Sequence, residues 1–303
     1  MLFFTQKGKC FWMRVYEIPE GSRTSKGRAI QNLINIEQDD KVKAFICTKD
    51  LKDEAYINQH YVIMATKKGQ VKKTSLEKYS RPRINGINAI TIKEDDELLV
   101  AKLTNGESQV MMALKSGKAI RFEEAKTRPM GRSASGVRGI RLQHDKDEVI
   151  GMVSVNDMES NILVVSSNGY GKRSKIEDYR ITNRGGKGVK TISITDKTGS
   201  LVSIKNVNDT NGLMIINKSG IAIRMAVKDL RVMGRATQGV KLINIKKGDS
   251  IAAVAKVIHE EQEEQEDTIV ETKNTTSIEV ENVIKSNKNI SLEITNEEEN
   301  TEE

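Results

Sequence analysis

The apolar positions of this chain come in short runs, and one arrangement of them recurs. Asn161-Ile162-Leu163-Val164-Val165-Ser166 is too short for a helix and rich in β-branched residues, so it predicts a strand. Ser167-Asn168-Gly169 is turn chemistry, because Asn and Gly tolerate positive φ, and Tyr170 to Ile176 predicts the returning strand. A polar loop, 177–188, ends in a second glycine. Val189 to Ile194 then alternates in period two, residues 196–199 turn the chain, and Leu201 to Ile204 predicts a last strand.

The same order occurs five times. The first glycines are Gly8, Gly69, Gly117, Gly169 and Gly220, and the second are Gly27, Gly86, Gly136, Gly188 and Gly239. Partners lie 19 residues apart in four repeats and 17 apart in the repeat that begins at Gly69. A period near fifty residues marks an array of supersecondary units. Four short strands cannot bury their faces alone, so the units are expected to stack radially as blades. The expected fold is all-β and propeller-like, with repeats at about 2–56, 57–105, 106–157, 158–208 and 209–260. Helix is the minority reading.

Charge divides the chain in two. Residues 260–303 hold 15 acidic and 3 basic side chains, net −12, which leaves +19 on residues 1–259 of the chain's +7. The tail, 261–303, has isolated Ile and Val in no sustained period and predicts disorder. A basic body with an acidic tail suggests a polyanion partner, with the tail as an internal competitor for the same surface.

The cations recur in register. Four residues after the first glycine stand Trp12, Lys73, Arg121, Arg173 and Arg224, with Lys172 one place earlier in the fourth repeat. Four before the second glycine stand Arg23, Arg132, Arg184 and Arg235, with Arg83 or Arg81 in the shorter repeat. Just after it come Arg28, Arg138, Lys190 and Lys241, and Lys26 just precedes it in the first repeat. Equivalent positions of a radial array share one rim, so a curved basic track able to hold a phosphate backbone is expected. Thr182-Asn183-Arg184-Gly185-Gly186-Lys187-Gly188 is the most specific local string, a loop whose amides and cations could close on phosphate. Aromatics are 4% of residues, too few for a single-strand stacking platform. Trp12, Tyr79 and Tyr179 read better as packing or loop anchors than as base contacts.

Several classes are excluded. Gly186-Lys187 is followed by glycine, so there is no Walker loop. Gly131 to Gly136 misses the hydrolase elbow spacing by one. His60, His144 and His259 are scattered, which argues against a metal site. Cys10 and Cys47, both on predicted strands, make a poor disulfide framework and point to a reducing cytosol. No apolar run is long enough to span a bilayer, and no signal peptide is evident. No catalytic constellation is found.

Connected strings carry a resemblance: Val15-Tyr16-Glu17-Ile18-Pro19-Glu20, Lys26-Gly27-Arg28, Gly136-Val137-Arg138-Gly139-Ile140, Asn168-Gly169-Tyr170-Gly171-Lys172-Arg173 and Gly234-Arg235-Ala236-Thr237-Gln238-Gly239-Val240. In this order and spacing the chain resembles the carboxy-terminal DNA-wrapping domain of the bacterial DNA gyrase A protein, over about residues 2–260. The resemblance implies a β-pinwheel, a propeller whose blades exchange strands and whose basic perimeter bends double-stranded DNA without reading sequence. It implies a nucleoid-associated, cytoplasmic protein with no cofactor of its own, ATP and Mg belonging to the whole gyrase. It also implies the gyrase A catalytic core and the gyrase B protein as partners in negative supercoiling.

Two departures qualify this. The family's supercoiling box, Gln-Arg-Arg-Gly-Gly-Lys-Gly, is matched only at Arg184 to Gly188, with Thr182 and Asn183 in place of its first two residues. Met1 to Phe4 already reads as the interior of a strand, so a first blade is expected upstream, and five blades either close or leave a raw edge near Phe3. The chain then reads as a fragment or a separately made domain. The alternatives are the equivalent domain of topoisomerase IV and a propeller scaffold that binds acidic proteins.

Overall fold

The computed structural model describes residues 1–22, 25–246 and 248–258. Arg23 and the tail 261–303 lie outside the described residues. Five antiparallel sheets follow one another along the chain, four of four strands and a fifth of three. Apart from 3-10 turns, the helix among the described residues is Glu54–Gln59, capped by the Asp53 side chain, which accepts the Tyr56 amide.

No four-stranded sheet is built from one repeat. In the second sheet Leu98–Thr104 pairs with Tyr61–Thr66, which pairs with Gln70–Ser75, and the outermost strand is Val137–Arg138 from the third repeat. Ile87–Asn88, Val189–Lys190 and Val240–Lys241 likewise cross to the preceding blade. Residue by residue, Val189 to Ile194 reads as a strand of its own blade. Instead only Val189–Lys190 is strand, and it belongs to the third sheet, as the family resemblance implied. The repeat boundaries therefore divide the sequence but not the sheets.

The exchange explains the glycines. The first glycine of each of the first four blades has positive φ, between 80° and 87°, and its carbonyl accepts an amide from the crossing segment, as Gly69 does from Gly139 at 2.8 Å. A Cβ there would meet a crossing carbonyl: Ile90 O at 2.4 Å from Gly8, Ile140 O at 2.8 Å from Gly69, Ile243 O at 2.6 Å from Gly169. The second glycines Gly136, Gly188 and Gly239 press against the preceding blade, each 2.6 Å from a carbonyl by the same measure.

The core lies between blades. Leu2, Phe4 and Cys10 pack with Val62, Met64, Leu76 and Tyr79 between the first two sheets, and similar layers fill the later junctions. Each such side chain contributes about 1.5–3 kcal/mol on burial. The innermost strands, Val42–Ile46, Leu98–Thr104, Val149–Val155, Leu201–Val207 and Ile251–Ile258, lie side by side around a hub. A raw edge does exist, but away from Phe3, whose strand is paired on both sides; it is Ala222–Ala226 of the fifth sheet, which receives no crossing strand among the described residues. Cys47 lies just past its strand, exposed, and both cysteines are free thiols.

Gly220 has the same positive φ as Gly169, but nothing lies within 4 Å of its would-be Cβ. Gly220→Ala is therefore expected to cost about 1–2 kcal/mol from the backbone alone. Gly169→Ala should cost a further 1–3 kcal/mol or so, from overpacking against Ile243. Urea unfolding of both variants checks this, and equal costs would refute the exchange account of the first glycine.

Candidate nucleic-acid interface

In the second, third and fourth blades the cations four residues after the first glycine are not on the surface. Arg121 is buried and its guanidinium donates to the carbonyls of Ile176, at 2.8 Å, and Tyr179, at 2.9 Å. Arg173 is buried and donates to Leu230 O at 2.5 Å and to the Asp209 carboxylate. Lys73 is buried against Glu124, and Trp12 donates its indole N–H to Tyr79 O at 2.9 Å. In each case the side chain crosses to the 3-10 turn of the next repeat and donates to a backbone carbonyl of that turn or of its C-terminal cap. Lys73, Arg121 and Arg173 are thus latches between blades and leave the candidate track.

Lys172 leaves it as well. It is buried and donates to Gly234 O and Ser174 Oγ, as Lys72 donates to Ala89 O and Arg132 O. Burial holds both amines below the usual lysine range, at about 8. Arg224, the counterpart in the fifth blade, is exposed, since no next turn covers it. Tyr79 and Tyr179 are buried anchors, the latter bonded through its hydroxyl to Thr191 Oγ1 at 2.6 Å.

The cations around the second glycine are where the repeat predicts. Arg138, Lys190 and Lys241 end the crossing strands, which are the outermost strands of their sheets, and all three are exposed. Arg132, Arg184 and Arg235 are half-buried in the preceding loops. Arg184 donates to Lys126 O and Arg138 O, and Arg235 donates to Lys190 O at 2.9 Å. Each of these two guanidiniums is therefore fixed to the backbone beside the preceding junction's cation. Lys187, Lys26, Arg28 and Arg83 are exposed.

A third series escaped the sequence reading. Arg128, Arg180 and Arg231 stand 11 residues after their first glycines and are exposed. Each precedes a residue, Pro129, Ile181 or Val232, that bridges to the second strand of the preceding blade. Its signal was present: Arg-x3-Arg-x5-Arg/Lys occurs at 128–138, 180–190 and 231–241. Three successive junctions thus carry three cations each at identical spacing.

Electrostatics separate this perimeter from the hairpin-turn end. There Lys43, Glu97, Lys67, Glu148 and Lys115 form a chain of ion pairs at 3.0–3.4 Å across three blades. Among the described residues no ion pair involves Arg128, Arg138, Arg180, Lys187, Lys190, Arg231 or Lys241. The perimeter is not purely basic, because Asp178 lines a notch with Gly234, Arg235 and Thr237. Nor are the loop glycines a free amide cradle. The Gly185 amide donates to Gly139 O at 2.6 Å, and Gly185 and Gly188 have positive φ.

These features define a strand-exchanging β-propeller with an outward basic perimeter. The chain belongs to the family described as DNA gyrase C-terminal domain, beta-propeller, which matches residues 1–49, 60–105, 109–156, 160–208 and 213–258. It is 42% identical over 268 residues to the A subunit of DNA gyrase from Staphylococcus aureus, a match covering 88% of this chain and 30% of that protein. It is 43% identical over 262 residues to the A subunit of DNA gyrase from Staphylococcus epidermidis, covering 86% and 29%. The chain spans about 30% of the length of these relatives. The fold is similar to the C-terminal domain of DNA topoisomerase IV, with TM-score 0.77, 23% identity and coverage of 90% and 83% of the two chains. It is also similar to a DNA gyrase A C-terminal domain, with TM-score 0.72, 24% identity and coverage of 85% and 82%. Among the described residues no group of potential ligands could hold a metal, and no helix is long and apolar enough to cross a membrane.

The buried lysines set a pH signature. Between about pH 8 and 10.5 the unfolded chain binds more protons at Lys72 and Lys172 than the folded chain does, so these two groups add stability as pH rises through that window. The urea midpoint of the wild type should therefore gain on that of a K72M/K172M variant between pH 8 and 10. A constant difference would show that the amines titrate normally.

Proposed function

We propose that this chain binds double-stranded DNA along its perimeter, bends it around the blades, and serves negative supercoiling by DNA gyrase when joined to the catalytic core. The observation that carries this is the threefold cation pattern at successive junctions, with no ion pair among the described residues to neutralise it. A requirement for solubility sets no register, whereas a phosphate backbone crossing one junction after another does.

The chemistry fits phosphate rather than bases. The candidate side chains are Arg and Lys, two of them, Arg184 and Arg235, held by backbone carbonyls, and such side chains position a duplex without reading it. Selectivity would come from how readily the DNA bends. Double-stranded DNA, the gyrase A core and the gyrase B protein are then the partners, in the cytoplasm with the DNA, and ATP and Mg act in the whole gyrase. Identity of 42–43% to gyrase A proteins favours that reading over topoisomerase IV, where the likeness is one of fold. An acidic-protein scaffold would want an apolar or mixed docking face in place of the cation series.

Counterion release gives the test. Log affinity for a duplex against log salt has a slope of about 0.9 per phosphate neutralised. Arg138→Gln, Lys187→Gln, Lys190→Gln and Lys241→Gln together should lower the magnitude of that slope by about 3–4, read by fluorescence anisotropy. An unchanged slope would reject the perimeter. Wrapping is tested with relaxed circular DNA and a nicking–closing topoisomerase. A linking-number shift that grows with protein is expected, and binding without a shift would reduce the proposal to planar bending.

A further inference from the structure

A second group of cations stands away from the perimeter, at the hub. Lys102 lies opposite Ile63 on Leu98–Thr104, and Lys205 lies opposite Leu163 on Leu201–Val207, the same register position in two blades. Lys256 lies opposite Leu213 on Ile251–Ile258. Each is two residues before the end of its innermost strand, so all three sit toward one end of the hub. Lys102 and Lys205 are half-buried and Lys256 is exposed.

These amines share a neighbourhood that lacks a counter-charge. Burial lowers the Lys102 amine below its ordinary value, and repulsion from Lys205 and Lys256 lowers it further. Burial lowers Lys205 too. No hydrogen bond or ion pair involves any of the three among the described residues. Partly buried charge with no compensation is costly, so this end of the hub calls for an anion.

The chain carries one next to it. Lys256 lies on the last described strand, and the sequence continues from Ile258 through His259 to Glu260, Glu261, Glu263, Glu264, Glu266 and Asp267. Four residues of extended chain reach roughly 13 Å, so the first of these acids can turn back over the end of the strand that bears Lys256. We propose that the acidic segment Glu260 to Asp267 docks over this end of the hub and supplies the counter-charge for Lys102, Lys205 and Lys256. The start of the tail is then held at the hub and does not compete for the perimeter.

Zero-length cross-linking tests this on the full chain at low salt, without DNA. A carbodiimide activates a carboxylate, a lysine amine in contact displaces it, and an amide forms as the urea leaves. Peptide mapping of the monomeric product should join Glu260 to Asp267 with Lys102, Lys205 or Lys256, and 1 M salt should abolish most of the yield by screening. Links to Lys187, Lys190 or Lys241 instead, links only between copies, or no link to a hub lysine would overturn the proposal. A melting cycle gives a second readout. Converting the six acids to amides (E260Q, E261Q, E263Q, E264Q, E266Q, D267N) should lower Tm by about 2–4 °C. The loss should vanish in a K102M/K205M background, or in K256Q should the double variant not fold, and equal losses in both backgrounds would overturn the docking.

Discussion

Everything in this molecule depends on one constraint: a blade cannot complete its own sheet. The fourth strand of each of the first four sheets is only two residues long and comes from the next repeat, so it has little pairing energy of its own. What holds it is the contact on either side. A glycine carbonyl accepts its trailing amide, and a buried cation or indole crosses the junction to the next 3-10 turn. Leaving such buried carbonyls unpaired would cost about 1–3 kcal/mol each, comparable to losing a core side chain. The junction is therefore polar at its outer margin and apolar within, and a guanidinium there works as a structural bolt.

That constraint decides which arginines are available for function. Of the basic series in the sequence, the two that the glycines mark run at equal regularity, one four residues behind the first glycine and one around the second. Both repeat because every junction repeats, so regularity alone cannot tell a bolt from a contact. The first series lies on the second strand of each blade, which the crossing strand and the next turn cover. The second lies on the crossing strand itself and on the loop leading to it, outside everything else. The same exchange that buries Arg121 and Arg173 thus carries Arg138, Lys190 and Lys241 to the perimeter.

The sequence was legible where a signal was local and short. Glycine spacing announced five units, and the short β-branched runs announced strands, because turn chemistry and period two act over a few residues. The exchange was not legible from periodicity, since Val189-Lys190 alternates equally well whichever sheet receives it. The burial of Lys172 was not legible for the same reason: a lysine beside Tyr170 in a strand looks solvated until Gly234 of the next repeat arrives over it. Arg128, Arg180 and Arg231 could have been found, because their spacing is as regular as that of the series that was noticed. The tail and Arg23 lie outside the described residues.

The fifth blade separates cause from correlation. It has the glycine, Gly220, and the arginine, Arg224, at the expected places, but no crossing strand and no next turn among the described residues. There the glycine has open space around its would-be Cβ, the arginine is exposed, and Ile221 is exposed on the same strand edge. The same glycine-to-arginine spacing thus meets two environments. Burial of the cation follows from the arrival of the neighbour and not from the strand that bears it. Placement of charge in this fold is a property of junctions, so whatever the perimeter binds must be read junction by junction, and a partner long enough to cross several of them at a fixed pitch is the one that the pattern suits.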